Sequence, residues 1–193
     1  MEITTDILKQ LRDRTGLSVM QCKKALEETG GDIDKAEVIL KKRSSEAAEK
    51  KADRDLGAGA VATYVHDGTI GAMVLLSCET DFVARNEEFP ALARDIAMHI
   101  SATDPKYLAE ADIAPEAREA ALAVFTEEVK DKPEEMREKI LNGKMDSYFR
   151  DQVLLNQPYI KDENKTINDL ITEASQKFGE RVEVTRFARF SAR

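Results

Sequence analysis

The residues best suited to chemistry lie in the segment Glu79–Asn86, here called the tip, where a strand-like run ends and a helical pattern begins. Asp81 and Phe82 stand side by side in it. An aromatic residue that fills the core of a sheet normally lies within the strand, not beyond its end. One use of an acid next to a large aromatic at this position is insertion into another protein. The alternative is that Phe82 packs beneath its own helix and that Asp81 is a turn residue, and the local pattern alone favours this alternative because most aromatic residues fill cores.

Other reactive side chains give little support for catalysis. Cys78 directly precedes the tip and is a conceivable nucleophile, but the sequence offers no base to activate it. His66 and His99 have no cysteine or aspartate at ligand spacing, which favours structural roles over metal binding. Gly57-Ala58-Gly59 precedes a strand and no Gly-Lys-Ser/Thr occurs, so a phosphate-binding loop is not supported. The sequence predicts a protein that is not an enzyme and needs no metal or cofactor.

The charge of the chain limits its partners and divides it in two. Its 193 residues carry a net charge of −8, which argues against a nucleic-acid backbone as the main partner. Residues 1–56 hold 12 basic and 12 acidic side chains, whereas residues 57–193 hold 17 and 25. A near-neutral first part and an acidic second part indicate two units.

Several features predict a cytoplasmic location. No stretch approaches the length of a membrane span, and Met1–Thr4 lacks the basic flank and apolar run of a signal peptide. Cys22 and Cys78 are not at metal or redox spacing, so two buried thiols in a reducing compartment are expected. We therefore expect a protein that does not interact with a membrane.

Residues 1–43, here called the head, predict three short amphipathic helices separated by glycine turns. Gly16 suits the left-handed position after the first helix, and Gly30-Gly31 ends the second. Ser18 and Gln21 have the spacing of a capping box at the start of the second helix. A compact three-helix module of this kind resembles ubiquitin-associated domains, which bind other proteins.

Residues 44–56 are rich in Ala, Glu and Lys and predict a charged helical linker. Residues 57–193, here called the body, begin with a hairpin signal at Asp67-Gly68. Helical patterns follow, with a break at Asn142-Gly143, and the last strand covers Arg181–Phe190. A hairpin first and a lone strand last predict a small antiparallel sheet packed with helices. The expected fold class is α+β, and the body is expected to carry the dimer contacts.

Three groups of residues follow one another in the order of a known set of signatures. They are Leu11-Arg12-Asp13-Arg14-Thr15-Gly16 with Cys22-Lys23-Lys24-Ala25-Leu26 and Gly31-Asp32, then Glu79 to Phe89, then Leu155-Asn156-Gln157-Pro158-Tyr159-Ile160-Lys161-Asp162. Together they resemble the translation elongation factor Ts family. The resemblance covers essentially the whole chain.

The resemblance implies a guanine-nucleotide exchange factor that binds elongation factor Tu in its GDP form and promotes GDP release during translation elongation. The family inserts its tip near the partner's magnesium and phosphate site, which here assigns that role to Thr80, Asp81, Phe82 and Val83. Asp81 acts there either by repelling phosphate or by rearranging the magnesium shell. The head docks on the partner's nucleotide domain, through residues that correspond here to Leu11, Arg12, Thr15, Gly16, Leu17, Val19 and Lys23.

The length of the chain predicts a homodimer. Longer family members carry a second, related half of the core, whereas this chain has room for one. A second copy can supply the missing surface, through the helical stretch Met136–Leu155 or through the face of the sheet. The alternative is a monomer with a reduced contact surface.

Two other functional classes stay open: an adaptor that binds without affecting nucleotide release, and an enzyme with Cys78 as its nucleophile.

Overall fold

The computed structural model of the protein describes residues 3–192, so Met1 and Glu2, used above to argue against a signal peptide, and Arg193 lie outside the described residues. The predicted α+β class is confirmed. In chain order the elements are α1 (Thr5–Thr15), α2 (Val19–Glu28), α3 (Ile33–Glu49), β1 (Ala58–His66), β2 (Ile70–Cys78), α4 (Asp81–Ala84), α5 (Glu88–Thr103), α6 (Pro115–Val129), α7 (Glu134–Arg150), β3 (Pro158–Tyr159), β4 (Asp162–Thr166), α8 (Ile167–Phe178) and β5 (Val182–Ser191), with 3₁₀ turns at Glu110–Asp112 and Leu154–Asn156.

Local capping sets the ends of the three head helices. Gly16 adopts the left-handed conformation after α1, with φ of 67°, which a residue with a Cβ rarely adopts. Ser18 and Gln21 form both bonds of the predicted capping box at α2, and the side chain of Asp32 caps α3. The apolar sides of the helices then meet in a small core of Leu11, Leu17, Cys22, Ala25, Leu26, Ala36 and Leu40.

Polar contacts hold the head against the body. α3 continues beyond the head to Glu49 and packs along α8. Lys41 forms an ion pair with Asp169 at 2.9 Å, and the ammonium of Lys51 donates to the backbone oxygen of Ser175 at 2.9 Å. Partial burial lowers the pKa of Lys51. These bonds fix the direction in which the head presents its exposed side chains.

The body is built on a three-stranded antiparallel sheet in the order β1-β2-β5. Asp67 and Gly68 form the predicted turn, both with positive φ, but His66 pairs with Ile70, so the connection has three residues and not two. The inner face of the sheet packs against α5 and α8 in the main core. The outer face exposes Val61, Val65, Met73 and Phe190.

The helices α6 and α7 form a hairpin that packs around Phe149, Ala121, Ile113 and Val153. The predicted break at Asn142-Gly143 is wrong, because α7 runs through both residues without interruption. A glycine inside a helix costs only about 1 kcal/mol, which packing against a neighbouring helix readily offsets. Sequence reasoning also missed α4 and the short β3–β4 hairpin, which contains part of the motif between Leu155 and Asp162.

Candidate functional site

The tip forms a short helix of its own, α4, placed between the end of β2 and the start of α5. Its four residues are too few to be stable as an isolated helix, so contacts with the rest of the protein must hold them. Val83 supplies one such contact, since it is 4% exposed and packs into the main core. Its neighbour Phe82 is 83% exposed. The alternative in which Phe82 packs beneath its own helix is therefore wrong.

The helix that follows the tip begins slightly later than the sequence suggested. α5 begins at Glu88, whereas the helical pattern in the sequence begins at Asn86. The side chain of Asn86 nevertheless accepts a hydrogen bond from the backbone N–H of Glu88 at 3.0 Å. Phe89, in the first turn, is fully buried and meets Phe178 of α8 edge to face. The chain that follows Phe82 is thus held at two points, by Val83 within α4 and by Phe89 at the start of α5.

Ionic contacts fix the beginning of the tip. The carboxylate of Glu79 accepts hydrogen bonds from the backbone N–H of Arg181 at 2.5 Å and from the guanidinium of Arg54 at 3.1 Å. The Arg181 N–H, followed by the Arg54 guanidinium, lowers the pKa of Glu79. Arg181 also donates to the backbone oxygen of Arg54 at 2.7 Å. The segment after α3, the last strand and the tip therefore meet at one point.

Asp81 presents its charge at the surface. Its carboxylate pairs with Arg85 at 3.0 Å, and both side chains are largely exposed. Exposed pairs of this kind contribute about 0 to 1 kcal/mol. A partner that offers a cation or a stronger hydrogen-bond donor can therefore separate Asp81 from Arg85 at little cost.

The structure argues against Cys78 as a nucleophile. Cys78 is fully buried at the end of β2, and its thiol donates to the backbone oxygen of Thr80 at 3.2 Å. Burial, followed by the negative charge of Glu180, raises the pKa of Cys78. A protonated, enclosed thiol is a poor nucleophile, since the thiolate is the reactive form.

The two histidines lie apart, and the buried one has structural partners. His99 on α5 is fully buried; its Nε2 donates to Oε1 of Gln157 at 2.9 Å, and its Nδ1 accepts from the N–H of Ile160 at 3.4 Å. Burial lowers the pKa of His99, in keeping with a neutral ring that links α5 to the β3–β4 hairpin.

Among residues 3–192, no group of three or more His, Cys, Asp or Glu side chains is placed to hold a metal ion, and no helix in that range is long and apolar enough to cross a bilayer.

The residues that the family motif assigns to docking differ in their exposure. Leu11 and Leu17 are buried in the head core, and Thr15 is half-buried. Leu11 and Leu17 thus support the head from within and offer almost no surface for a partner to contact. The exposed members of the set are Arg12, Gly16, Val19 and Lys23.

Sequence reasoning missed Met20, which is 79% exposed next to Val19 on α2. The sequence pattern indicates that Met20 is exposed, because Met20 lies outside the apolar stripe of α2 that packs into the head core. Val19 and Met20 together form an apolar spot on the head that a partner can cover.

The structure brings the first head turn close to the helix that follows the tip. Thr15 and Gly16 line an open groove of about 230 Å³ together with Glu88 and Leu92 of α5. Lys177 of α8 lines the same groove and forms an ion pair with Glu88. Two motifs that are far apart in the chain therefore border one surface.

Comparison with known proteins agrees with the motifs. The family model described as Elongation factor TS matches residues 47–193. Elongation factor Ts of Thermodesulfovibrio yellowstonii is 48% identical over 191 residues, which cover 98% of this chain and 96% of the relative. Elongation factor Ts of Thermosipho melanesiensis is 46% identical over 192 residues, covering 98% of both chains, and that of Coprothermobacter proteolyticus is 43% identical over 194 residues, covering 99% and 98%. The chain therefore belongs to the elongation factor Ts family.

Proposed function

We propose that this protein is a cytoplasmic guanine-nucleotide exchange factor, which binds elongation factor Tu in its GDP form and promotes GDP release during translation elongation. The observation that carries the proposal is the placement of Phe82. A single exposed apolar side chain is unremarkable on a protein surface. Phe82 differs because its four-residue helix is held in place by the buried Val83. Family membership supports the choice of partner.

Exchange follows from reciprocal coupling between two ligands of the partner. If this protein weakens the binding of GDP by some factor, GDP weakens the binding of this protein by the same factor. The protein then binds the GDP form, expels GDP through a short-lived ternary complex, and is displaced when GTP enters. No phosphate-binding loop is needed for this, because the exchange factor never holds the nucleotide.

The energy required exceeds what the tip alone provides. A nucleotide bound with a Kd of about 1 nM and a k_on of about 10⁶ M⁻¹s⁻¹ leaves at about 10⁻³ s⁻¹. Release at about 10 s⁻¹ needs an acceleration of about 10⁴, or about 5.5 kcal/mol. Burial of one Phe side chain contributes about 1.5–3 kcal/mol. Contacts made by the head and the body must supply the rest.

The tip carries out the release step in this proposal. Thr80 and Val83 hold α4 in place, Phe82 enters the partner as a wedge, and Asp81 enters beside it. Asp81 either repels the phosphates of GDP or rearranges the magnesium shell. Either action requires Asp81 to leave Arg85, and their exposed pairing makes that step inexpensive.

The test is release of a fluorescent GDP analogue from elongation factor Tu, with a catalytic amount of this protein and an excess of unlabelled GDP. We expect the release rate to rise with the concentration of this protein and to saturate. Tight binding without any acceleration would identify an adaptor. Absence of binding would contradict the choice of partner.

We further propose that the protein acts as a homodimer joined through the outer face of its sheet. Val61, Met73 and Phe190 stand exposed on three adjacent strands, and Gly71 opposite Phe190 leaves the face flat. Sheets with such faces pack against each other about 10 Å apart. The alternative stretch, Met136–Leu155, uses much of its apolar surface within the α6–α7 hairpin cluster.

The substitution Met73→Asp is expected to convert the dimer to a monomer. Met73 is 50% exposed on the central strand, and a two-fold interface buries it twice. Burying an unpaired carboxylate at about 2 kcal/mol or more per copy raises the dimer Kd roughly 10³-fold or more. Sedimentation at micromolar concentration measures the change. Met136→Asp is the matched control, since Met136 is 53% exposed on α7; a monomer from this variant alone would place the interface on the helical stretch.

A further inference from the structure

Glu180 contacts the tip from the opposite end of the chain. It follows Gly179, which ends α8 in the left-handed conformation, and it lies two residues before Val182, where the last strand begins. Its Oε1 accepts the hydroxyl of Thr80 at 2.5 Å. Its Oε2 accepts the backbone N–H of Thr80 at 3.0 Å and that of Glu79 at 3.1 Å. One carboxylate thus receives three hydrogen bonds from two consecutive residues.

These bonds replace the usual cap of a helix. Thr80 is the residue before α4, where a threonine hydroxyl normally accepts a backbone N–H of the first turn. Here that bond is missing, and the hydroxyl is directed toward Glu180, to which it donates. α4 therefore starts from a contact outside itself, which ties its position to the end of α8.

The contact is reciprocal. Glu180 binds the backbone of Glu79 and Thr80, while the carboxylate of Glu79 binds the backbone N–H of Arg181 at 2.5 Å. Charge-assisted hydrogen bonds of this kind are about twice as strong as neutral ones and have narrow geometry. Two carboxylates that exchange backbone partners leave little freedom for either segment. We call this arrangement of Glu79, Thr80, Glu180 and Arg181 the clamp.

We infer that Glu180 is a positioning residue for nucleotide exchange: through the clamp it fixes α4 so that Phe82 and Asp81 enter the partner in one orientation. The inference rests on the proposed function and adds to it a residue outside the tip motif. Loss of the Glu180 carboxylate leaves the exposed side chains of the head unchanged. It therefore lowers the rate of nucleotide release more than it weakens docking.

The experiment compares Glu180→Ala with Glu180→Gln in the nucleotide-release assay. For Glu180→Ala we expect the saturating release rate to fall roughly 10- to 100-fold, since misplacement by about 1 Å has effects of that size. The concentration that gives half the maximal rate stays within about twofold. Glu180→Gln retains most of the rate, because its amide oxygen can accept both backbone N–H groups and its amide nitrogen can donate to the Thr80 hydroxyl.

A double-mutant cycle separates positioning from a general loss of structure. In a Phe82→Ala background, Glu180→Ala is expected to cause a clearly smaller loss than in the wild type, since Phe82 can no longer be misplaced and only Asp81 still depends on the clamp. An equal loss in both backgrounds, or a wild-type rate for Glu180→Ala, overturns the inference. So does a loss that appears equally in Glu180→Gln.

Amide hydrogen exchange tests the clamp independently of elongation factor Tu. The N–H groups of Glu79 and Thr80 are expected to exchange faster in Glu180→Ala than in the wild type, while amides of β2 keep their rates. If the wild-type protein does not accelerate GDP release, the proposed function is wrong, whatever the exchange rates of Glu79 and Thr80 are. Unchanged exchange at Glu79 and Thr80 would show that Glu180 does not hold the tip and would overturn the inference.

Discussion

Substitution of Phe82 by Ala is expected to lower the saturating rate of GDP release from elongation factor Tu roughly 10- to 100-fold, without destabilising the free protein. The side chain is 83% exposed, so its removal takes little apolar area out of the protein's own core. In the proposed complex it is buried, and its loss forfeits about 1.5–3 kcal/mol. Each 1.4 kcal/mol of lost transition-state stabilisation is a factor of about 10 in rate.

Three measurements define this result. The release assay gives the saturating rate, calorimetric titration gives binding to elongation factor Tu, and thermal unfolding gives the stability of the variant. Met136→Ala is the control, because it removes an exposed apolar side chain from α7, away from the tip. A Phe82→Ala variant that releases GDP as fast as the wild type would rule out the wedge.

The parts of the fold that could be predicted from the sequence are those set by local chemistry. The glycine turn at Gly16 and the Ser18 capping box both appear where the residue pattern places them. Each depends on atoms within about four residues, so the sequence alone carries the signal. The α+β class followed from the order of the predicted helices and strands.

The structure of the tip could not be predicted in the same way. α4 depends on Glu180, which lies 100 residues beyond Thr80 in the chain, and no local pattern links two positions so far apart. The local pattern in the tip, Thr80 followed by Asp81, is typical of the start of a helix but also of a turn. The family motif identified the residues of the tip, whereas tertiary contacts determine how these residues are arranged.

The residues that the family motif assigns to docking also show what a sequence motif leaves undetermined. A motif records which residues a family shares, and shared residues include those that shape a surface from within. Leu11 and Leu17 belong to that second group, since both are buried in the head core. Met20 lies outside the motif but is 79% exposed, whereas Val19, which the motif assigns to docking, is 47% exposed.

Substitution of Phe89 by Ala is expected to lower the free energy of unfolding by about 3–5 kcal/mol, the cost of truncating a fully buried Phe. Phe89 is 0% exposed and faces Phe178 with ring centroids 5.8 Å apart, so truncation leaves a cavity between α5 and α8. Such a loss is a third or more of the stability of many domains. Urea unfolding measures it directly, and the melting temperature should fall by about 6–20 °C.

Phe82 and Phe89 together form an internal comparison, because they are the same residue type on either side of one bend. At a temperature where Phe89→Ala stays folded, we expect it to bind elongation factor Tu and release GDP at near the wild-type rate, since Val83 and the clamp still hold α4 in place. Phe89→Leu deletes fewer atoms and should cost about 1–2 kcal/mol. A loss below about 1 kcal/mol for Phe89→Ala would show that the start of α5 does not anchor the tip. The expected outcome is opposite for the two residues: truncating Phe82 lowers the exchange rate and spares stability, whereas truncating Phe89 lowers stability and spares exchange in the molecules that stay folded.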